Sequence, residues 1–255
     1  MSQHIGIAAV SPEGGSLCYR QVLRHAQRLM DPSTHPTITL HNIRFGDYLK
    51  AVVDEDWHEV GRLLRQSGEV LAEAGADFCI CPDNAVLHAV HLAAHVSTVP
   101  WICVTDCVAD ALERDERRSV GLLGSRAVTR GAAYQTKLGM RGIKAVAPPD
   151  EEAKALDEII YRELATGKVL PESLELMARV IHSYRDRGCD GVVLAYSESA
   201  LIDTSLLTGL PVYDAADILA ECALRRAAGP GAELGDMADV VVRPGFGRGS
   251  SQAAG

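Results

Sequence analysis

Two stretches of this chain carry a short polar cluster behind an apolar run, at matching positions. Gly75-Ala76-Asp77-Phe78-Cys79-Ile80 leads into Cys81-Pro82-Asp83-Asn84, and Gly188-Cys189-Asp190-Gly191-Val192-Val193-Leu194-Ala195 leads into Tyr196-Ser197. The offset is 113 residues, from Gly75 to Gly188 and again from Asp83 to Tyr196. A carboxylate and a phenol at equivalent positions can work as a base and an acid. Ordinary pKa values of ~3.9 for Asp and ~10 for Tyr make Asp83 a resting carboxylate and Tyr196 a resting phenol. Asp83 would accept a proton, and Tyr196 would donate one or polarise an oxygen. Each residue also has a purely structural reading. Asp83 and Asn84 are favoured helix caps, and Tyr196 could be a packed aromatic with a satisfied hydroxyl.

The elements that must hold these residues repeat as well. Val99-Pro100-Trp101 reaches Asp106 six residues after its Pro, and Leu210-Pro211-Val212 reaches Asp217 in the same way. Ile5-Gly6-Ile7-Ala8-Ala9 resembles Val120-Gly121-Leu122-Leu123-Gly124. Apolar runs at 5–10, 37–42, 78–81, 101–104, 119–123, 143–146, 192–195 and 212–213 suit strands buried on both faces of a parallel sheet. Helical patterns fill 16–29, 57–74, 84–95, 107–114, 126–138, 151–166, 173–187 and 215–227. Gly75 and Gly188 stand just past helices, where a left-handed residue is favoured. Such alternation predicts an α/β protein of two similar, doubly wound parallel-sheet lobes related by a pseudo-twofold axis. Ligands of open parallel sheets bind beyond the carboxyl ends of the strands, so the site is expected in the cleft between the lobes. The division expected is 1–106 plus 213–228 for one lobe and 107–212 for the other. A Gly-rich tail follows at 229–255, in which Val240–Val242 could add an edge strand or a tether.

The 255 residues, 47% hydrophobic and 23% charged, suit two globular lobes. A net charge of −9 without a basic block argues against nucleic acid and anionic membrane as partners. No stretch approaches the ~20 apolar residues of a membrane span. The opening Met1-Ser2-Gln3-His4 has no signal-peptide pattern, so a cytoplasmic location is expected. The seven cysteines lie mostly in apolar context, where free Cys behaves as a small hydrophobe. Cys79 and Cys81 fall inside a buried-type strand, which zinc ligands rarely do, and no metal is expected. His88, His91 and His95 share one helix face. Without a carboxylate or thiol to complete a ligand set, they read as buried or interface histidines.

From Ile5 to about Ala227 the chain resembles the aspartate/glutamate racemase superfamily, which includes hydantoin racemase, maleate isomerase and arylmalonate decarboxylase. Ala8-Ala9-Val10-Ser11-Pro12-Glu13 stands where such proteins carry a Gly-Gly-Met-Gly-Pro-Glu loop. Glu73-Ala74-Gly75-Ala76-Asp77 precedes the position of their first catalytic loop. Val120-Gly121-Leu122-Leu123-Gly124-Ser125 resembles a Gly-Leu-Leu-Gly-Thr loop, and Tyr196-Ser197-Glu198 falls in the second catalytic loop, usually Gly-Cys-Thr-Glu. The resemblance implies proton transfer at the carbon next to a carboxylate of a small substrate, such as an amino acid, without a cofactor. A homodimer is the expected assembly.

The departures from that pattern matter most. Such racemases use two cysteines, one per loop, whereas this chain has Asp83 and Tyr196. A Cys pair is nearly symmetric in acidity; an Asp/Tyr pair is not. The resemblance implies racemase or epimerase activity; the asymmetry suits a lyase step, a decarboxylation or a one-directional isomerisation as the alternative, and a catalytically inactive cleft that only binds carboxylates is a separate reading. Cys81 is roughly 6–7 Å along the strand from Asp83 and is no simple substitute. The resemblance places Asn84, Ser125, Ser197 and Glu198 around the substrate, with Ser11 on the first loop. Lys168 matches a lysine found in some members. Arg44 follows a strand end and could clamp a second carboxylate bidentately.

Overall fold

The computed structural model describes residues 2–207 and 209–229. The chain order is β1 (Ile5–Ala9), α1 (Pro12–Leu29), β2 (Ile38–Asn42), α2 (Phe45–Val53), α3 (Trp57–Glu73), β3 (Phe78–Ile80), α4 (Leu87–Val96), β4 (Trp101–Ile102) and α5 (Val104–Arg114). It continues with β5 (Ser119–Gly124), α6 (Arg126–Thr129), α7 (Ala132–Met140), β6 (Lys144–Val146), α8 (Asp150–Glu158), α9 (Pro171–Asp186), β7 (Gly191–Ala195), β8 (Val212–Asp214) and α10 (Ala215–Ala228). The strands form two four-stranded parallel sheets, ordered β2-β1-β3-β4 and β6-β5-β7-β8. The second order repeats the first strand for strand, so the expected pair of similar α/β lobes is borne out.

Apolar strand composition drives this arrangement. Every residue of β1 and β7 is buried, as strands covered by helices on both faces must be. Gly75 and Gly188 follow α3 and α9 with φ of 89° and 80°, the left-handed conformation their sequence position anticipates. One apolar cluster joins the two sheets: Ile7 of β1, Leu112 of α5, Leu122 of β5, Val193 of β7 and Leu219 of α10 all belong to it. Helix α10 packs on α1 and α5. The sequence-based lobe boundaries fall inside α5 and inside β8, which pairs with β7. The tail read at 229–255, with Val240–Val242, lies outside the described residues from 230 onward.

Three local expectations change. Residues 45–53, to which the sequence pattern assigns no helix, form α2, whose Phe45, Tyr48, Leu49 and Val52 follow an i, i+3, i+4, i+7 stripe. The helix read at 126–138 breaks at Gly131, where a Cβ would lie 2.5 Å from the Ala127 carbonyl oxygen. The helix read at 151–166 continues past α8 as a π turn, Ile159–Glu163, and a 3-10 turn, Leu164–Thr166. Wide turns of this kind recur at functional sites.

Candidate active site

The two central strands of each sheet, β1 with β3 and β5 with β7, deliver the polar residues. In each sheet the crossovers leave these neighbours in opposite directions, which opens a crevice at their carboxyl ends. Ser11 follows β1 and caps α1, its Oγ accepting from the Gly14 N–H at 3.2 Å. Asp83 follows β3 and caps the short 3-10 turn Asn84–Val86, its Oδ1 accepting from the Ala85 N–H at 2.9 Å. Ser125 follows β5, and Tyr196, Ser197 and Glu198 follow β7. The capping role of Asp83 is therefore real, but it engages only one carboxylate oxygen.

Ser11, Asp83, Ser125, Tyr196, Ser197 and Glu198 line one cavity of about 50 Å³. Its remaining wall is mostly apolar, built from α2 (Phe45, Leu49, Val52) and from Ile160 and Tyr161 of the π turn. These wall residues were not anticipated, although the apolar stripe of α2 was a signal. No Lys, Arg or His lines the cavity among the described residues.

The electrostatics follow from enclosure. Burial, reinforced by the charge of Glu198, pushes the Asp83 carboxyl up to about 7, against the Ala85 hydrogen bond that favours the charged form. Glu198 is 3% exposed, and burial raises its carboxyl too, opposed by hydrogen bonds from the Ser11 and Ser197 hydroxyls. Tyr196 is also 3% exposed. Burial, with Asp214 and Glu198 nearby, holds its phenol well above the ordinary range. The Tyr196 hydroxyl has no hydrogen-bond partner, and Ser125 Oγ makes no well-formed hydrogen bond, its nearest partner being the Tyr161 phenol. A buried polar atom left unpaired costs ~1–3 kcal/mol, which a ligand on the cavity side would recover.

The other anticipated residues stand elsewhere. Asn84 is buried, but its side chain is engaged: Oδ1 accepts from the Tyr134 hydroxyl at 2.7 Å and Nδ2 donates to the Pro82 carbonyl at 3.2 Å. It ties β3's loop to α7 instead of lining the cavity. The Arg44 side chain is 86% exposed and pairs with Asp47 across one helical turn. Lys168 is exposed and does not line the cavity. Cys81 is 2% exposed, and burial raises its thiol well above the ordinary range. His88, His91 and His95 are all exposed on α4, which excludes the buried half of the buried-or-interface reading. No helix among the described residues is long and apolar enough to cross a membrane.

Comparison with known proteins agrees with this architecture. Among solved structures, a candidate Asp/Glu racemase from Yersinia pestis superposes with a TM-score of 0.77 at 24% identity, covering 87% of this chain and 97% of that one. An aspartate racemase homologue from Pyrococcus horikoshii OT3 gives a TM-score of 0.74 at 23% identity, covering 89% and 99%. A liganded double mutant of arylmalonate decarboxylase gives 0.57 at 15% identity, covering 92% and 96%. These likenesses establish the fold. The family model for Asp/Glu/Hydantoin racemase matches residues 7–223, and the chain belongs to that family.

Proposed function

We propose that the protein catalyses proton transfer at the carbon next to a carboxylate of a small substrate, with Asp83 as base and Tyr196 as proton donor. One observation carries this reading. Asp83, with its carboxyl near 7, and Tyr196, with an unpartnered hydroxyl, line the same small cavity from different sheets. A base with a pKa near the working pH combines a useful ionised fraction with useful basicity. We read the step as cofactor-independent, as the family resemblance implies, with both proton-transfer groups supplied by the chain. Asp83 takes the α-proton as a carbanion-like centre develops beside the substrate carboxylate. Tyr196 then delivers its proton to that centre, and exchange with solvent resets both groups.

The pair is asymmetric. Asp83 is shifted up to about 7, but Tyr196 moves up as well and the gap persists. Running the step backward needs a tyrosinate, which is scarce near neutral pH. A one-directional isomerisation, or a lyase or decarboxylation step ended by protonation, therefore fits the pair better than balanced racemisation. Solvent-deuterium incorporation followed by NMR, across amino acids and small carboxylic acids, tests the proposal. Exchange that vanishes in Asp83→Asn supports it. Exchange that survives this substitution overturns it.

A further inference from the structure

The cavity has a pattern of charge and shape that a dicarboxylate does not match. Two carboxylates, Asp83 and Glu198, lie on its wall, and no cation lines it among the described residues. The two cations the sequence offered, Arg44 and Lys168, are exposed and lie off this wall. A second substrate carboxylate would therefore meet like charge with nothing to pair it, a repulsive element that acts as a specificity filter. The acidic pair is not alone. Two buried hydroxyls stand on the same wall: that of Tyr196, without a partner, and that of Ser125, beside the Tyr161 phenol. Phe45, Leu49 and Val52 of α2 supply an apolar part of the wall.

We propose that the substrate is a small α-amino acid with an apolar side chain, recognised by Glu198 at its ammonium group, by Ser125 at its carboxylate and by α2 at its side chain. This rests on the proton-transfer reading above for the roles left to Asp83 and Tyr196, which face the α-carbon. Glu198 suits the ammonium because the hydroxyls of Ser11 and Ser197 hold its carboxylate in place. An arriving cation also compensates the charge that burial otherwise disfavours. Ser125 suits the carboxylate because its buried hydroxyl lies on the cavity wall beside the Tyr161 phenol, and both can donate to one ligand oxygen. The α2 wall suits an alkyl group because it buries apolar surface against apolar surface. An anionic group, a hydroxyl donor and an apolar wall in one cavity thus match a zwitterion with a neutral side chain.

Binding is measured by isothermal titration calorimetry on the full chain with three probes of similar size. These are 2-aminobutyrate (each enantiomer), aspartate (each enantiomer) and butyrate. Aspartate adds the second carboxylate; butyrate removes the ammonium. The expected result is that one enantiomer of 2-aminobutyrate binds at least about tenfold more tightly than aspartate or butyrate. Glu198→Gln is expected to narrow the preference over aspartate by about tenfold, since one repelling and ammonium-pairing charge is gone. Aspartate binding as tightly as 2-aminobutyrate, butyrate binding equally well, or no binding by 2-aminobutyrate each overturns the proposal. An unchanged preference in a folded Glu198→Gln overturns the role of Glu198. Deuterium exchange on the same samples separates the two readings. Binding of 2-aminobutyrate without exchange sinks the proton-transfer reading alone, whereas exchange on aspartate in preference to 2-aminobutyrate sinks the substrate class alone.

Discussion

Asp83 and Glu198 belong to different sheets, yet each lies on the wall of one cavity, and the charge of Glu198 helps lift the Asp83 carboxyl to about 7. Asp83 follows β3 and Glu198 follows β7, the equivalent strands of the two lobes. Two carboxylates held in one poorly hydrated space cannot both ionise cheaply. The same coupling that makes Asp83 a base near neutrality makes its ionisation a source of instability.

The first prediction follows from that cost. An acid whose folded-state pKa lies above its unfolded value stabilises the fold only while protonated. For Asp83 the contribution is fully present below its ordinary value of 3.8 and is lost as pH rises through about 7. Asparagine imitates the protonated form and can keep the Ala85 hydrogen bond. Asp83→Asn should therefore melt roughly 2–8 °C above the wild type at pH 8, with the difference shrinking toward pH 4. Exchange activity of the wild type should rise with pH and level off above about 7. Differential scanning fluorimetry across pH reads the first effect, and a destabilised Asp83→Asn at pH 8 would contradict it.

Tyr196→Phe removes a hydroxyl that has no partner in the protein. Its stability should stay within about 1 kcal/mol of wild type, since no hydrogen bond is broken and a buried orphan is deleted. Exchange should weaken without disappearing, because Asp83 remains. In the wild type, solvent deuterium should enter one enantiomer of a substrate much faster than the other. Equal NMR exchange rates for both enantiomers would restore a balanced two-base mechanism.

Thiol chemistry should be dispensable. Neither loop tip carries a cysteine, and burial raises the thiols of Cys79 and Cys81. Cys103 is different. It is half-buried, its Sγ lies 3.7 Å from His91 Nε2 and 3.1 Å from Thr105 Oγ1, and these contacts lower its pKa despite burial. Iodoacetamide should modify Cys103 first and leave turnover largely intact. Peptide mapping that finds Cys81 modified in step with lost activity, with protection by substrate, would show that the thiol was misjudged.

Tyr134 sits in α7, and Asn84 follows β3 in the other lobe, so their hydrogen bond ties the lobes together beside Asp83. Tyr134→Phe leaves the buried Asn84 Oδ1 without its donor. We expect a loss of ~1–3 kcal/mol in chemical denaturation. We also expect a lower exchange rate, since Asp83 is the neighbouring residue in the same turn. Unchanged stability would mean that the tie is replaceable by water.

Much of the architecture is legible in the residues themselves. The 113-residue echo, the apolar runs of β1, β3, β5 and β7, and Gly75 and Gly188 past their helices report local preferences, and local preferences survive folding. The repeat also put Asp83 and Tyr196 at equivalent loop tips, because equivalent strand ends carry equivalent loops. What only the tertiary structure decided is who shares the cavity. Arg44 follows a strand end in the sequence, but it caps the start of α2 and turns its guanidinium to solvent, where Asp47 neutralises it. Asn84 sits beside Asp83, but a tyrosine 50 residues away claims its side chain. The apolar wall comes from α2 and a π turn, which meet the strand ends only after each lobe has wound up. The lifted carboxyl of Asp83 is likewise a property of neither loop. It arises when folding half-buries Asp83 among protein atoms and brings Glu198 from the other lobe close enough for their charges to interact.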